Sequence, residues 1–512
     1  MPWQSIPEAR RNLNLAFNDA SSARTWLAAQ VPTPALTMLM ALNQQIEALD
    51  AANLAPELSI ELLNMLRTAA LPALEKIESR FTRKALPMPA EDQGCFEIAE
   101  QFWRQLGIAY LRQATFLPAA AKALPLNRAA CAFRIAEYCH FQAASECPTL
   151  LDRLLFAVLA EGQKEGLLQH PLADPDFPHL GETHIAGHLA WAFLLRLIDP
   201  YRLSGNELMV ANRAISRWRE LCSFQFEIEV NPKAQAVDLT RLFGGPLPAI
   251  LPRWLNVRAL ARKANQRIEA LQEGQSPESL KLGKELSPAA CLRLLNALIA
   301  SLRPSPASSA GMENGEITLS FGSENAYAIL RGKRLNPPAS LGSQSASLAH
   351  QRMAMFGFDR HSQMPTAVKA LNIPGETWRM VDGKAIRQVE PLGNRHLSPC
   401  LIASALLGVP RLGVMLGLQR NTGGTLRADL SWYKELIEVG QLTMFAGPDK
   451  HLPAIPAFLL HDEETLSLIV PATAGLRLYL VQALKGMTVS HVAPTEVLER
   501  GVDFIRYAVK KQ

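Results

Sequence analysis

The chain has 512 residues, 48% of them hydrophobic and 19% charged, with 52 Lys plus Arg against 47 Asp plus Glu and a formal net charge of +5. That composition excludes a disordered or collagen-like chain, and at about 100 to 200 residues per domain the length accommodates several domains, each with its own core. Seven irregularly spaced cysteines do not form a disulfide framework and point to a reducing compartment.

The N-terminus, MPWQSIPEARRNLNLAF, lacks a basic stretch followed by an uninterrupted apolar core, so no secretory signal is expected. Segments 57–81, 96–114, 129–146, 150–167 and 207–223 carry apolar residues at three- and four-residue spacings, the pattern of amphipathic helices. No full repeat consensus recurs along them, so the expected arrangement is an irregular helical array rather than a solenoid. Residues 224–230, FQFEIEV, alternate as a strand does. Two further helices, 255–273 and 288–302, close a helical scaffold domain spanning 1–302. The second is opened by Ser287 as N-cap and Pro288 at its first position.

The run RPSPASSAGMENG, 303–315, offers nothing to bury and reads as a linker. From 316 to 512 the pattern changes to short apolar runs at 317–321, 378–381, 411–418, 425–430, 466–470 and 476–481, separated by Gly, Pro and Asn. This is the pattern of a barrel or sandwich. Residues 338–351 read as a mobile loop, 421–424 as a hairpin turn and 494–509 as a terminal helix. The fold class expected is α+β and multidomain, an irregular all-α array followed by a mainly β domain. The apolar runs at 186–198 and 401–418 are broken by Arg196 and by Pro410 with Arg411, short of a span of about 20 residues. No membrane insertion is expected, and the location expected is the cytoplasm.

The charge is unevenly distributed. The first 302 residues are neutral, while residues 327–427 hold thirteen cations, mostly arginines, against Asp359, Glu376, Asp382 and Glu390. The planar fork of arginine pairs with phosphate in bidentate fashion and stacks on rings. The excess reads either as an anion site for a phosphorylated ligand, nucleic acid or acidic partner, or as a solvated basic surface. No helix-turn-helix, zinc-finger or RNA-platform motif appears, and no DNA partner is expected.

In order along the chain, LDRLLFAVLAEGQKEGL, LLRLIDPYRLSGNEL, LQEGQSPESLKLG, WRMVD, RLGVMLGLQRNTGG and TLSLIVPA resemble the landmarks of bacterial PilZ-like cyclic-di-GMP signalling proteins with a long helical N-terminal region. The resemblance covers about residues 32 to 485. It implies a small β-barrel in which an Arg-x-x-x-Arg segment and an (Asp/Asn)-x-Ser-x-x-Gly turn clasp the phosphates and guanines of the dinucleotide. It also implies protein partners and a role in type IV pilus regulation. The turn falls on 382–387, directly after Trp378-Arg379-Met380-Val381. Asp382 keeps the first signature position, whereas Lys384 stands in place of the serine and Arg387 in place of the glycine. The β region has no Arg-x-x-x-Arg upstream of this turn; Arg331 with Arg334, Arg352 and Arg360 come nearest. The candidate ligand-binding set is Arg352, Arg360, Trp378, Arg379, Asp382, Lys384 and Arg387, with cyclic-di-GMP as ligand and no other cofactor. The alternative is a degenerate barrel serving as an interaction scaffold that binds no nucleotide.

Other constellations are ordinary. His184 and His188 have a spacing that can chelate zinc, but no further ligands accompany them, and they read as the polar stripe of an apolar helix. Cys131 and Cys139 lie about 12 Å apart along a helix, too far to share a metal, and read as buried small hydrophobes. Trp103, Trp191, Trp218 and Trp254 read as core. No paired carboxylates, phosphate-binding glycine loop or Ser, His and Asp grouping is visible, so no enzyme activity is expected.

Overall fold

The computed structural model describes all residues except 1–5, 10–12, 229–234, 244–246, 248, 250, 304–313, 336–372, 391–392, 407–408, 444–453 and 463–464. Most of the expected linker and the loop 338–351 therefore lie outside the described residues. The chain divides into two compact units: Met1–Ser309 with Val389–Arg395 and Gln419–Leu426, and Ala310–Gln388 with His396–Leu418 and Arg427–Gln512.

The first unit is the helical array. It comprises α1 (Ala20–Gln30), α2 (Ala35–Ala51), α3 (Pro56–Phe81), α4 (Ala90–Phe116), α5 (Ala123–Gln142), α6 (Thr149–Lys164), α7 (Ile185–Leu197), α8 (Gly205–Trp218), α9 (Thr240–Phe243), α10 (Arg258–Gln272) and α11 (Pro288–Ser301). The sequence sets the helix ends. Proline opens α3 and α11, Ser287 accepts from the Ala290 N–H, and Ser204 with Glu207 forms a reciprocal capping box at the start of α8. Packed against α4, α6 and α7, α5 is buried almost throughout, polar residues included. Its Glu137 is held by Arg196, which also takes Asp152. Arg67 of α3, only 2% exposed, is paired with Asp174 and Asp176, as a charge so deep must be.

Short strands accompany the helices: β1 (Leu172–Ala173) pairs with β2 (Glu182–Thr183), while β3 (Ser223–Gln225), β4 (Ala236–Asp238) and β5 (Trp254–Asn256) form a sheet in the order β3-β5-β4. The strand expected at 224–230 is realised as far as Gln225, with 229–230 outside the described residues. The helix expected from 255 begins at Arg258, because 254–256 are taken up by the sheet. All seven cysteines are free thiols, and Cys131 and Cys139 are buried.

The second unit holds two closed barrels. Its elements are β6 (Gly315–Phe321), α12 (Ser323–Arg331), β7 (Glu376–Val381), β8 (Lys384–Gln388), β9 (Cys400–Leu406), β10 (Val409–Arg420), β11 (Thr425–Trp432), β12 (Leu436–Thr443), β13 (Ile455–His461), β14 (Leu466–Pro471), β15 (Gln482–Lys485), β16 (His491–Arg500) and β17 (Phe504–Lys511). Barrel 1 closes in the order β10-β11-β8-β7-β6-β9 and barrel 2 in the order β12-β13-β14-β17-β16-β15. The fold is α+β, an N-terminal helical array followed by a mainly β region.

Three features depart from the expectation. There are two barrels where one was expected. Residues 494–509 form β16 and β17 rather than a helix; register shifts at Pro494/Glu496 and Val497/Glu499 interrupt the strand alternation, and pairing with β14 and β15 overrides the local helical spacing. Residues 476–481 are not a strand, since β15 begins only at Gln482. The turn at 421–424 is a hairpin turn as expected, with the Asn421 N–H donating to the Thr425 carbonyl and Gly424 at φ +78°. The barrels share one apolar cluster: Ala326 and Tyr327 of α12 lie among Leu401, Leu412 and Val414 of barrel 1 and Val439, Phe458, Ile469 and Phe504 of barrel 2.

Candidate functional site

The turn singled out in the sequence joins β7 to β8. Asp382 and Gly383 both have positive φ, +50° and +73°, which makes Asp-Gly the two-residue connection of a tight hairpin. Val381 pairs with Lys384, Met380 with Ala385 and Arg379 with Ile386. Strand alternation then separates the candidates. Trp378 points into the barrel and is fully buried, Arg379 is exposed, and Asp382 is exposed at the turn.

Arg387 reaches back to Trp378, its guanidinium 5.0 Å from the ring centroid, and pairs with Glu376. The other oxygen of Glu376 lies 2.7 Å from His396 Nε2, and the His396 ring stacks on Phe321 with centroids 3.7 Å apart. Lys384 pairs with Asp429 of β11. The structure thus brings Trp378 and Arg387 together and gives both Lys384 and Arg387 a carboxylate, while Arg379 and Asp382 stand outside that cluster. Arg352 and Arg360 lie outside the described residues.

A second constellation, not singled out in the sequence, lies in the helical unit. A cleft of about 530 Å³ is lined from α8 and the residues after it by Asn212, Arg213, Arg217, Arg219 and Glu220, from α7 by Trp191, and from the preceding connector by His179 and Glu182. Helical geometry places Arg213 and Arg217 one turn apart on the same face. The Arg-x-x-x-Arg spacing sought in the β region occurs here.

The cleft is firmly built. Trp191 donates from Nε1 to Asn212 at 2.8 Å and carries the guanidinium of Arg134 at 3.7 Å from its ring. Arg219, 4% exposed, donates to the carbonyls of Ser216 and Leu180 and pairs with Glu220 at 2.8 Å. Arg213 grips Glu285 through two parallel bonds of 2.7 and 2.8 Å, which hold that carboxyl down at about 2. Arg217 is exposed and donates to the Lys281 carbonyl.

The histidine pair has local duties beside this cleft. His184 caps α7, accepting the Gly187 N–H at 2.9 Å, and its other nitrogen contacts Glu220. His188 is buried, and burial reinforced by the charges of Arg134 and Arg219 holds it neutral, well below the usual imidazole range. Among the described residues no group of three or more His, Cys, Asp and Glu side chains is placed to hold a metal ion, and no helix is long and apolar enough to cross a membrane.

Residues 21–232 match the family model described as cyclic-di-GMP receptor FimW, N-terminal domain. No curated protein and no solved structure matches the chain. The matched span takes in α2 to α8 and every residue named in the cleft. The match over the helical array supports a cyclic-di-GMP signalling family with a helical N-terminal region.

Proposed function

We propose that the protein is a cyclic-di-GMP-responsive signalling protein that takes the dinucleotide in the cleft of its helical unit and acts through protein partners rather than by catalysis. The observation that carries this reading is Arg217, exposed and donating to a backbone carbonyl, in a cleft of about 530 Å³ inside the span that matches a cyclic-di-GMP receptor domain; Arg213 and Arg219 beside it are held by Glu285 and Glu220, which a phosphate has to displace to reach them. The chemistry suits the ligand. Guanidinium forks take phosphate oxygens and the O6 and N7 edge of guanine, a carboxylate such as Glu182 accepts from the opposite edge, and a planar guanidinium stacks on an exposed base. The PilZ-like relation of the barrels and a role in type IV pilus regulation belong to the same proposal and rest on the sequence resemblance, and the cytoplasmic location belongs to it through the seven free cysteines.

A second reading is favoured by the pairs Lys384 with Asp429 and Arg387 with Glu376. A phosphate at this hairpin has to displace two carboxylates, which supports barrel 1 as an interaction module that binds no nucleotide.

Isothermal titration of the full chain with cyclic-di-GMP tests both. Saturable heat that Arg217→Glu abolishes and Arg379→Glu leaves intact supports the cleft. Heat lost in Arg379→Glu and kept in Arg217→Glu moves the ligand to the hairpin. No heat at millimolar ligand, with the protein folded, eliminates the receptor reading.

A further inference from the structure

We propose that barrel 2 docks on an anionic membrane surface through its 476–481 loop. The loop presents four consecutive apolar side chains to solvent: Leu478 is 43% exposed, Tyr479 75%, Leu480 56% and Val481 48%. Elsewhere in this barrel residues such as Leu468, Val470, Val492 and Ile505 are buried, so the run is not a leftover of core patterning. The loop is held in place at both ends. Leu476 packs on the barrel core before it, and Gln482 enters β15 after it.

The backbone keeps the side chains outward. Tyr479 has φ +63°, a left-handed conformation that a bulky side chain adopts only under constraint. Its N–H donates to the Pro494 carbonyl at 2.6 Å, and the Leu480 N–H donates to Arg477. The Tyr479 ring therefore projects from a fixed platform.

Charge complementarity selects the occupant. Arg477 precedes the run and is exposed. Gln482, next after Val481, pairs with Val492, which pairs with Lys511, and the neighbouring Ala493 pairs with Lys510. At the usual strand spacing both lysines stand about 10 Å from the loop's C-terminal end. His491 is exposed on the same edge; Glu496, two residues beyond the Pro494 that Tyr479 bonds, is the one carboxylate along β16 near the loop, against the three cations Arg477, Lys510 and Lys511. A projecting aliphatic tip with a tyrosine, set among cations, matches the layered chemistry of a bilayer surface: acyl chains for Leu478, Leu480 and Val481, the interface for the tyrosine, anionic headgroups for Arg477, Lys510 and Lys511. Such docking is peripheral and needs no membrane-spanning helix.

The test is sedimentation of the full chain with vesicles of phosphatidylcholine containing phosphatidylglycerol, beside vesicles of phosphatidylcholine alone. The wild type is expected to sediment with the anionic vesicles and to be released by salt. Lys510→Glu and Lys511→Glu should each weaken binding about fivefold or more, and the Tyr479→Asp, Leu480→Asp double variant should abolish it. These positions are exposed, and circular dichroism checks that each variant folds. Absence of sedimentation with anionic vesicles overturns the proposal, as does unchanged sedimentation of the folded double variant. Self-association, or binding of another protein, that depends on this loop without any vesicle binding overturns it too and assigns the surface to that partner.

Discussion

The guanidinium of Arg387 lies over the indole of Trp378 at 5.0 Å and grips the carboxylate of Glu376, which His396 shares. One cation is thereby committed to a ring and an anion at the wall of barrel 1. Truncation by Arg387→Ala strips Glu376 of its cation and the indole of its guanidinium, and is expected to cost about 2 kcal/mol or more in urea unfolding. Arg387→Lys should recover only part of this, because an ammonium keeps the charge but does not stack on the indole as a planar guanidinium does. If Arg387 is structural, both variants leave any cyclic-di-GMP affinity of the folded protein unchanged.

The Arg213 to Glu285 fork gives the helical unit a defined acid response. The folded carboxyl sits at about 2, chiefly because of its hydrogen bonds from Arg213, below the value of about 4.3 in an unfolded chain. The unfolded state then binds the proton first, so the fork's contribution is complete above about pH 4.3 and is lost as pH falls toward 2. In denaturation series, the stability gap between wild type and Glu285→Gln should be constant above about pH 5 and narrow on acidification. A gap that widens on acidification contradicts the assignment.

Gly283 stands against the same fork. It has φ +97°, and a Cβ there runs into Arg213 Nη1 and Glu285 Oε2. Gly283→Ala should cost about 2 kcal/mol from backbone conformation and the displaced fork together. Because both substitutions break one contact, Gly283→Ala combined with Glu285→Gln should cost less than the sum of the two, measurable in a double-mutant cycle.

The capping box of α8 offers a local control. Ser204 accepts the Glu207 N–H while the Glu207 carboxylate accepts the Ser204 N–H at 2.9 Å. Ser204→Ala should lower stability by about 1 kcal/mol and Ser204→Gly by only a few tenths. Thermal unfolding of the three proteins under one condition checks the order.

The helices were legible because each carries its apolar face in its own spacing and several carry their caps, as at Ser287 and Pro288. Barrel closure was not, because the choice of partner strand is made across the fold; nothing local to Leu412 or Leu468 assigns them to different barrels. The bulges of β16 hid a strand pair behind helical spacing. The basic excess of residues 327–427 did not show which cations are neutralised on folding: Lys384 is met by Asp429, just beyond the counted window, and Arg387 by Glu376. The cleft in the helical unit left a faint trace, two arginines one turn apart in a segment whose overall charge is neutral. Neutrality averaged over 302 residues concealed Arg213, Arg217 and Arg219, three cations within seven residues.

Tyr327 occupies a position that neither barrel could fill alone, with apolar neighbours from both. Separating the barrels between β11 and β12 would turn this shared core into an exposed apolar face on each product, so each barrel completes the other's interior.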